Sequence, residues 1–242
     1  MMLACLTYPG FSLASQPIEI TLKPDRISIG ATYNGTEILV SGQVPADTEA
    51  VIRITGHDEE SRLKKKDRVM GVLWMNLGAV EFHNIPGVFL LYKSKQTDDQ
   101  QIREIGIEAV RREAEIVSDY KDKGSLFEEF IKLKKNSGLY STVENGIHYR
   151  KENNGMKSFS ASVKLPSALP QGDYTLEVFA LSGNSITGYS KKDLNVKQTG
   201  MPAFIATLAF NHGTLYGILS VIVAIIAGLL TGTIFKGEKG SH

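Results

Sequence analysis

The sequence predicts a mainly β fold: an immunoglobulin-like β-sandwich with an inserted helical hairpin, followed by one C-terminal transmembrane helix. Three observations carry this. Apolar and polar residues alternate in short runs, at roughly ten-residue spacing, over residues 17–93 and again after residue 157, as half-buried strands do. Over residues 97–138 the apolar period lengthens to that of a helix. Residues 213–235 then run without a charge, at or above the roughly 20 positions a helix needs to cross a bilayer.

Residues 1–15 are apolar, and Ser12-Leu13-Ala14 fits a small-x-small cleavage site. They read as a signal peptide, or the remnant of one, because the stretch is short and lacks a basic start. An apolar first strand is the alternative. A lipoprotein reading of Leu3-Ala4-Cys5 leaves almost no apolar region ahead of the cysteine.

The sandwich domain is expected over residues 16–198. Ile18, Ile20 and Leu22 alternate with polar residues, as do Ile27 with Ile29, Ile38 with Val40, and Ile52 with Ile54. Lys23-Pro24-Asp25, Asn34-Gly35 and Pro45-Ala46-Asp47 are the turns between them. Residues 56–67 read as a charged loop or hairpin tip, with further strands at 69–76, 79–82 and 87–92.

In the insertion, Thr97 with Gln100, or Asp98 with Gln101, offers a helix cap and its return contact. Ile102, Ile105, Ala109, Val110, Ala114 and Val117 follow helical spacing, although Gly106 weakens the run by about 1 kcal/mol. Ser125 with Glu128 is a second capping box, opening Leu126, Phe127, Phe130, Ile131 and Leu133 toward a stop at Gly138. Strands return at 157–165 and 172–181. The Pro/Gly corner ahead of Tyr174 matches how the penultimate strand of such a sandwich opens, with the tyrosine hydroxyl bonding back. The last strand is 185–196.

Residues 199–212 form a hinge and interfacial segment. One helix from Pro202 to Phe235 would be about 50 Å long at 1.5 Å per residue, too long for a bilayer, so a break is expected near Asn211-His212-Gly213. The span is residues 213–235, and Lys236 and Lys239 mark residues 236–242 as a cytoplasmic tail. An exported body with an internal C-terminus follows: a bacterial inner-membrane, single-pass protein, mostly periplasmic. Without a signal peptide the same chain would be tail-anchored with its body in the cytoplasm.

Charges nearly cancel, at a formal net +1, so there is no electrostatic footprint for nucleic acid. Cys5 is the only cysteine, which excludes an internal disulfide and a cysteine-ligated metal site. Neither a Gly-x-Ser-x-Gly elbow nor a phosphate-binding glycine loop occurs. The chain is therefore read as a non-enzyme without cofactor. Three groups of residues remain as candidates for function. Ser220, Ala224, Gly228 and Gly232 recur every fourth position, so they share a face that another helix backbone can approach closely. Glycine is also simply common in membrane helices. Lys64, Lys65, Lys66 and Arg68 beside Trp74 offer contact to an anion or to anionic lipid; the competing reading puts Trp74 in the sandwich core. His57, Glu81 and His83 carry the donor types of a metal site or a membrane-tethered enzyme, though nothing in their spacing shows convergence.

With these pieces in order, the chain resembles an uncharacterised bacterial family of single-pass transmembrane proteins first grouped from alphaproteobacteria. Residues 65–76 (KKDRVMGVLWMN), residues 81–89 (EFHNIPGVF), Gly138-Leu139-Tyr140, the 165–174 corner and the lone C-terminal span carry the likeness. Genes of that family often neighbour TauE/SafE-type exporters of sulfite or organosulfur anions, so the resemblance implies a multi-pass membrane partner. The expected role is a membrane-anchored binding or accessory module. A homo-oligomer held through the small-residue face is the structural alternative.

Overall fold

The computed structural model describes residues 16–69 and 73–236. The signal-peptide reading of residues 1–15 and the tail from 237 onward lie outside the described residues. So do the side chains of Lys65, Lys66, Arg68 and Trp74. In chain order the elements are β1 (Gln16–Pro17), β2 (Ile20–Lys23), β3 (Arg26–Ile29), β4 (Thr36–Pro45), β5 (Glu49–Thr55), β6 (Asp58–Val69), β7 (Leu73–Pro86) and β8 (Phe89–Lys93). The insertion holds α1 (Ile107–Glu113), β9 (Glu115–Ser118) and α2 (Lys123–Asn136). Then come β10 (Tyr140–Val143), β11 (His148–Asn153), β12 (Met156–Leu165), β13 (Gly172–Ser182), β14 (Ser185–Gln198), α3 (Gly200–Asn211) and α4 (Gly213–Lys236). Two compact units result: a body built from residues up to 27 and from 34–196, and a second unit of residues 28–33 with those from 197 onward.

In the body, one sheet runs β1-β14-β13-β5-β8-β10 and a second β11-β12-β4-β2. Late strands pair with early ones, β13 with β5 and β12 with β4, so the sandwich closes only when both halves of the chain are present. Period-two alternation divides the apolar residues between two cores. Ile52, Ile54, Leu176 and Val178 are fully buried, as are Ile38, Val40, Ala161 and Val163 of the other sheet. Two tyrosines tie these sheets together: the Tyr149 hydroxyl accepts from the Ala50 N–H at 2.7 Å, and the Tyr92 hydroxyl from the Lys164 N–H at 2.9 Å. The opposite face of the first sheet presents Val51, Phe89, Leu91 and Phe179 to a second core with Phe82, Ile85, Phe127 and Phe130. Covered on both faces, β8 is buried at every position, which explains its apolar run from Phe89 to Tyr92. At the corner, the Tyr174 hydroxyl donates to the Pro170 carbonyl at 2.7 Å, as the sequence led us to expect.

The insertion has a topological cause. β10 runs parallel to β8, and parallel neighbours need a crossover rather than a tight turn. Residues 94–139 provide it, but not as a simple helical hairpin. Asp98 and Gln101 do exchange the reciprocal capping bonds, at 2.9 and 2.8 Å. They open a series of turns, however, and the helix begins only after Gly106. Ala114 is extended (φ −66°, ψ 127°), so Ile116 and Val117 leave the helical course and enter β9, where they pair with Phe82 and Glu81 of β7. Two adjacent β-branched residues favour that outcome. The second helix starts earlier than its capping box implied: Asp122 is the cap, accepting from the Ser125 N–H at 3.0 Å. Gly138 ends it at φ +73°, where the Leu139 N–H returns to the Lys134 carbonyl.

Residues 56–67, read from sequence as a charged loop or hairpin tip, lie for the most part in strand β6 (Asp58–Val69). With β7 and β9 it makes a third sheet in the order β6-β7-β9. Its charged residues hid it, because a ribbon that buries little shows no hydrophobic period.

Candidate functional site

The unit of residues 28–33 and 197 onward carries the membrane segment. α4 holds a 21-residue apolar window, Gly213–Thr233, of mean hydropathy 2.3 and with none of it buried. At 1.5 Å per residue the whole helix is about 36 Å long, enough for the roughly 30 Å hydrocarbon layer. Three of its hydroxyls are satisfied internally: Ser220 donates to the Tyr216 carbonyl at 2.8 Å, Thr231 to Ala227 at 2.9 Å and Thr233 to Leu230 at 2.8 Å. No side-chain donor among these faces lipid unpaired, which a bilayer would penalise. The break expected near residue 212 is present. His212 has non-helical angles (φ −134°, ψ 52°) and its N–H caps α3 at the Leu208 carbonyl.

Ser220, Ala224, Gly228 and Gly232 form an exposed row about 18 Å long on α4. A Cβ added at Gly213, Gly217, Gly228 or Gly232 would meet nothing within 4 Å. The chain's own packing thus demands no glycine at these positions. Gly42 differs, since a Cβ there would lie 2.5 Å from the Glu19 carbonyl oxygen and 2.9 Å from the Phe159 ring.

In the body, the ribbon β6–β7 extends past β9, which pairs only with Val80 to His83. Its backbone register sets Lys64 opposite Ala79, Lys65 opposite Gly78, Lys66 opposite Asn76 and Arg68 opposite Trp74. The basic run and the tryptophan therefore lie on the two paired strands near the end of one ribbon, with Trp74 at the register position of Arg68. The strand of Trp74 pairs with β6 and β9 and with neither sandwich sheet; its side chain, and with it the alternative of a core tryptophan, lies outside the described residues.

The metal candidates do not converge. His83 sits between two carboxylates, with Nδ1 3.5 Å from Glu60 and Nε2 3.8 Å from Glu81. The acids bracket opposite ring nitrogens, whereas an ion takes one nitrogen and needs its other ligands on that side. His57 lies elsewhere, beside Gly172. No cluster of three or more His, Cys, Asp or Glu suited to a metal occurs among the described residues.

Two buried polar groups were not singled out from sequence. Lys134 is 8% exposed as a residue, and its ammonium pairs with Glu59 and lies 5.5 Å from the Phe130 ring centroid and 5.9 Å from that of Tyr140. Burial, with Glu59 and Asp58 nearby, pushes the Tyr140 hydroxyl well above its ordinary pKa. That hydroxyl donates to the Pro86 carbonyl at 2.6 Å. The second group is a clasp between the sandwich sheets, where Glu49 accepts from Ser94 at 2.5 Å and from Lys157 at 2.9 Å. Burial raises the Glu49 carboxyl, but the hydrogen bonds from Ser94, Lys157 and Tyr149 and the Lys157 charge outweigh it and leave the pKa lowered. Both groups staple the fold. The sequence signal for Lys134 was its place on the row Phe127, Phe130, Ile131, Lys134, the apolar face of α2.

The family model described as putative transmembrane protein (Alph_Pro_TM) matches residues 17–237, which takes in the body, α3 and α4. The chain belongs to this family. Its one candidate span among the described residues is what the family's description requires, and it makes the chain a single-pass membrane protein of the Alph_Pro_TM family. No curated protein matches the sequence.

Proposed function

We propose that the chain is an exported binding or accessory module, with its body in the periplasm and its C-terminus in the cytoplasm. It docks through α4 on a multi-pass protein of the bacterial cytoplasmic membrane, an anion exporter of the TauE/SafE type. The observation that carries this is the glycine row. Helix-interior glycine costs about 1 kcal/mol against alanine in water, and among the described residues nothing packs where a Cβ at Gly228 or Gly232 would sit. A residue every fourth position follows the ridge by which close right-handed helix crossings form. The ribbon bearing Lys64, Lys65, Lys66, Arg68 and Trp74 supports a second contact, to an anion or an anionic headgroup, because lysine and arginine attract such groups and tryptophan sits well at a membrane interface. The module acts by contact and not by turnover.

Purification from the native membrane in mild detergent, followed by mass spectrometry, tests the reading. The expected result is one multi-pass protein recovered with the parent chain and lost with Gly228→Leu or Gly232→Leu. Undiminished recovery with both variants removes the row as the docking face. Recovery of the chain alone, as a dimer that the same variants dissolve, replaces the exporter with a second copy.

A further inference from the structure

We propose that α3 is a second membrane element, sunk among the lipid acyl chains of the leaflet through which α4 enters. The proposal rests on the reading of α4 as the span.

From Gln198 to Phe235 the chain carries no Asp, Glu, Lys or Arg. α3 occupies the first third of that stretch, and none of its residues is buried. Met201 is 64% exposed, Phe204 59%, Ile205 47% and Phe210 88%. At 100° per residue Phe210 points directly away from Met201, so large apolar groups lie on opposite sides of the helix. Thr207 is the one polar side chain between Met201 and Phe210. A helix resting at the headgroups needs a polar, usually basic, face, and α3 has none. A core helix of a soluble domain would be apolar all round and buried; α3 is apolar all round, yet none of its residues is buried, and Pro202, Ala203, Ala206, Leu208 and Ala209 are only half-covered.

Continuity names the occupant. The Tyr216 N–H of α4 donates to the His212 carbonyl at 3.0 Å, and the His212 N–H donates to the Leu208 carbonyl of α3 at 3.1 Å, so one residue separates α3 from the span. α4 alone already covers the hydrocarbon, and a collinear α3 would add about 18 Å. The break at His212 frees α3 from that axis. Asn211 and His212 then form the polar point at headgroup level, with Tyr216 just below in the aromatic belt.

The test uses the full chain with Cys5→Ser, alone in vesicles of phosphatidylethanolamine and phosphatidylglycerol. Nitroxide is attached at Phe204→Cys, Phe210→Cys, Ile222→Cys in the span, or Asp193→Cys in the body. Collision with oxygen, which concentrates in lipid, is compared with collision with a water-soluble nickel chelate. Labels at 204 and 210 are expected to match 222, with oxygen collisions several-fold above nickel, and to reverse the ratio at 193. Nickel-accessible labels at 204 and 210 beside a lipid-exposed 222 overturn the proposal and leave the span intact. Labels at 204 and 210 shielded from both reagents assign α3 to a protein contact and overturn lipid as its occupant. A nickel-accessible 222 overturns the span itself, and the proposal with it.

Discussion

Lys134 and Glu59 allow the crossover's role in the body to be measured. Removing one partner of a fully buried pair costs about 3–5 kcal/mol, because the other charge stays in a poor solvent. Here Lys134 is 10% and Glu59 31% exposed at the side chain, so water relieves part of the orphaned carboxylate. We expect about 2 kcal/mol for Lys134→Met, which keeps the stem packed on Phe130 and Tyr140 while deleting the charge. Glu59→Gln should cost a similar amount, about 2 kcal/mol, since it strands the more deeply buried ammonium. The double variant Lys134→Met/Glu59→Gln should return to within about 1 kcal/mol of the parent, giving a coupling of roughly 3 kcal/mol. For a body of this size 1 kcal/mol moves Tm by about 2–4 °C. The single variants should therefore melt about 4–8 °C below the parent by circular dichroism in detergent, and the double variant nearly with it. Additive losses would refute the reasoning, because they would mean that the two charges do not sense each other.

Two further predictions concern the sandwich. Tyr174→Phe removes the bond to Pro170, and because Pro170 is exposed water can serve its carbonyl, so a loss of only about 0.5–1 kcal/mol by denaturant titration is expected. The Glu49 clasp predicts a pH dependence. The folded pKa is lowered, so the clasp's stabilisation is fully present above the unfolded value and is lost as pH falls through the folded one. Melting curves of the parent and Glu49→Gln should therefore differ at neutral pH and draw together in that acidic range, whereas a constant gap would contradict the clasp.

The span, its break and the tyrosine corner were legible because each rests on local chemistry: an uncharged run, a polar pair between apolar runs, and a Pro/Gly bend before Tyr174. The crossover was legible as helical but not in its parts. Ile116 and Val117 fit a helical row as well as a strand, and the partner that decides, Phe82 with Glu81, lies 34 or more residues away. β6 was missed for the opposite reason, since a solvated ribbon has no apolar period to read. The candidate docking face on α4 was complete in the sequence, because residues four apart share a side of any helix. The structure adds that no described residue packs where a Cβ at its glycines would sit. That no residue of α3 is buried, by contrast, needed the fold to reveal it.

Alkaline carbonate extraction of native membranes tests the central claim most directly, because it strips proteins held only by surface contact and leaves those with a span. The full chain should stay with the sedimented lipid. Its appearance in the supernatant would mean that α4 does not cross the bilayer.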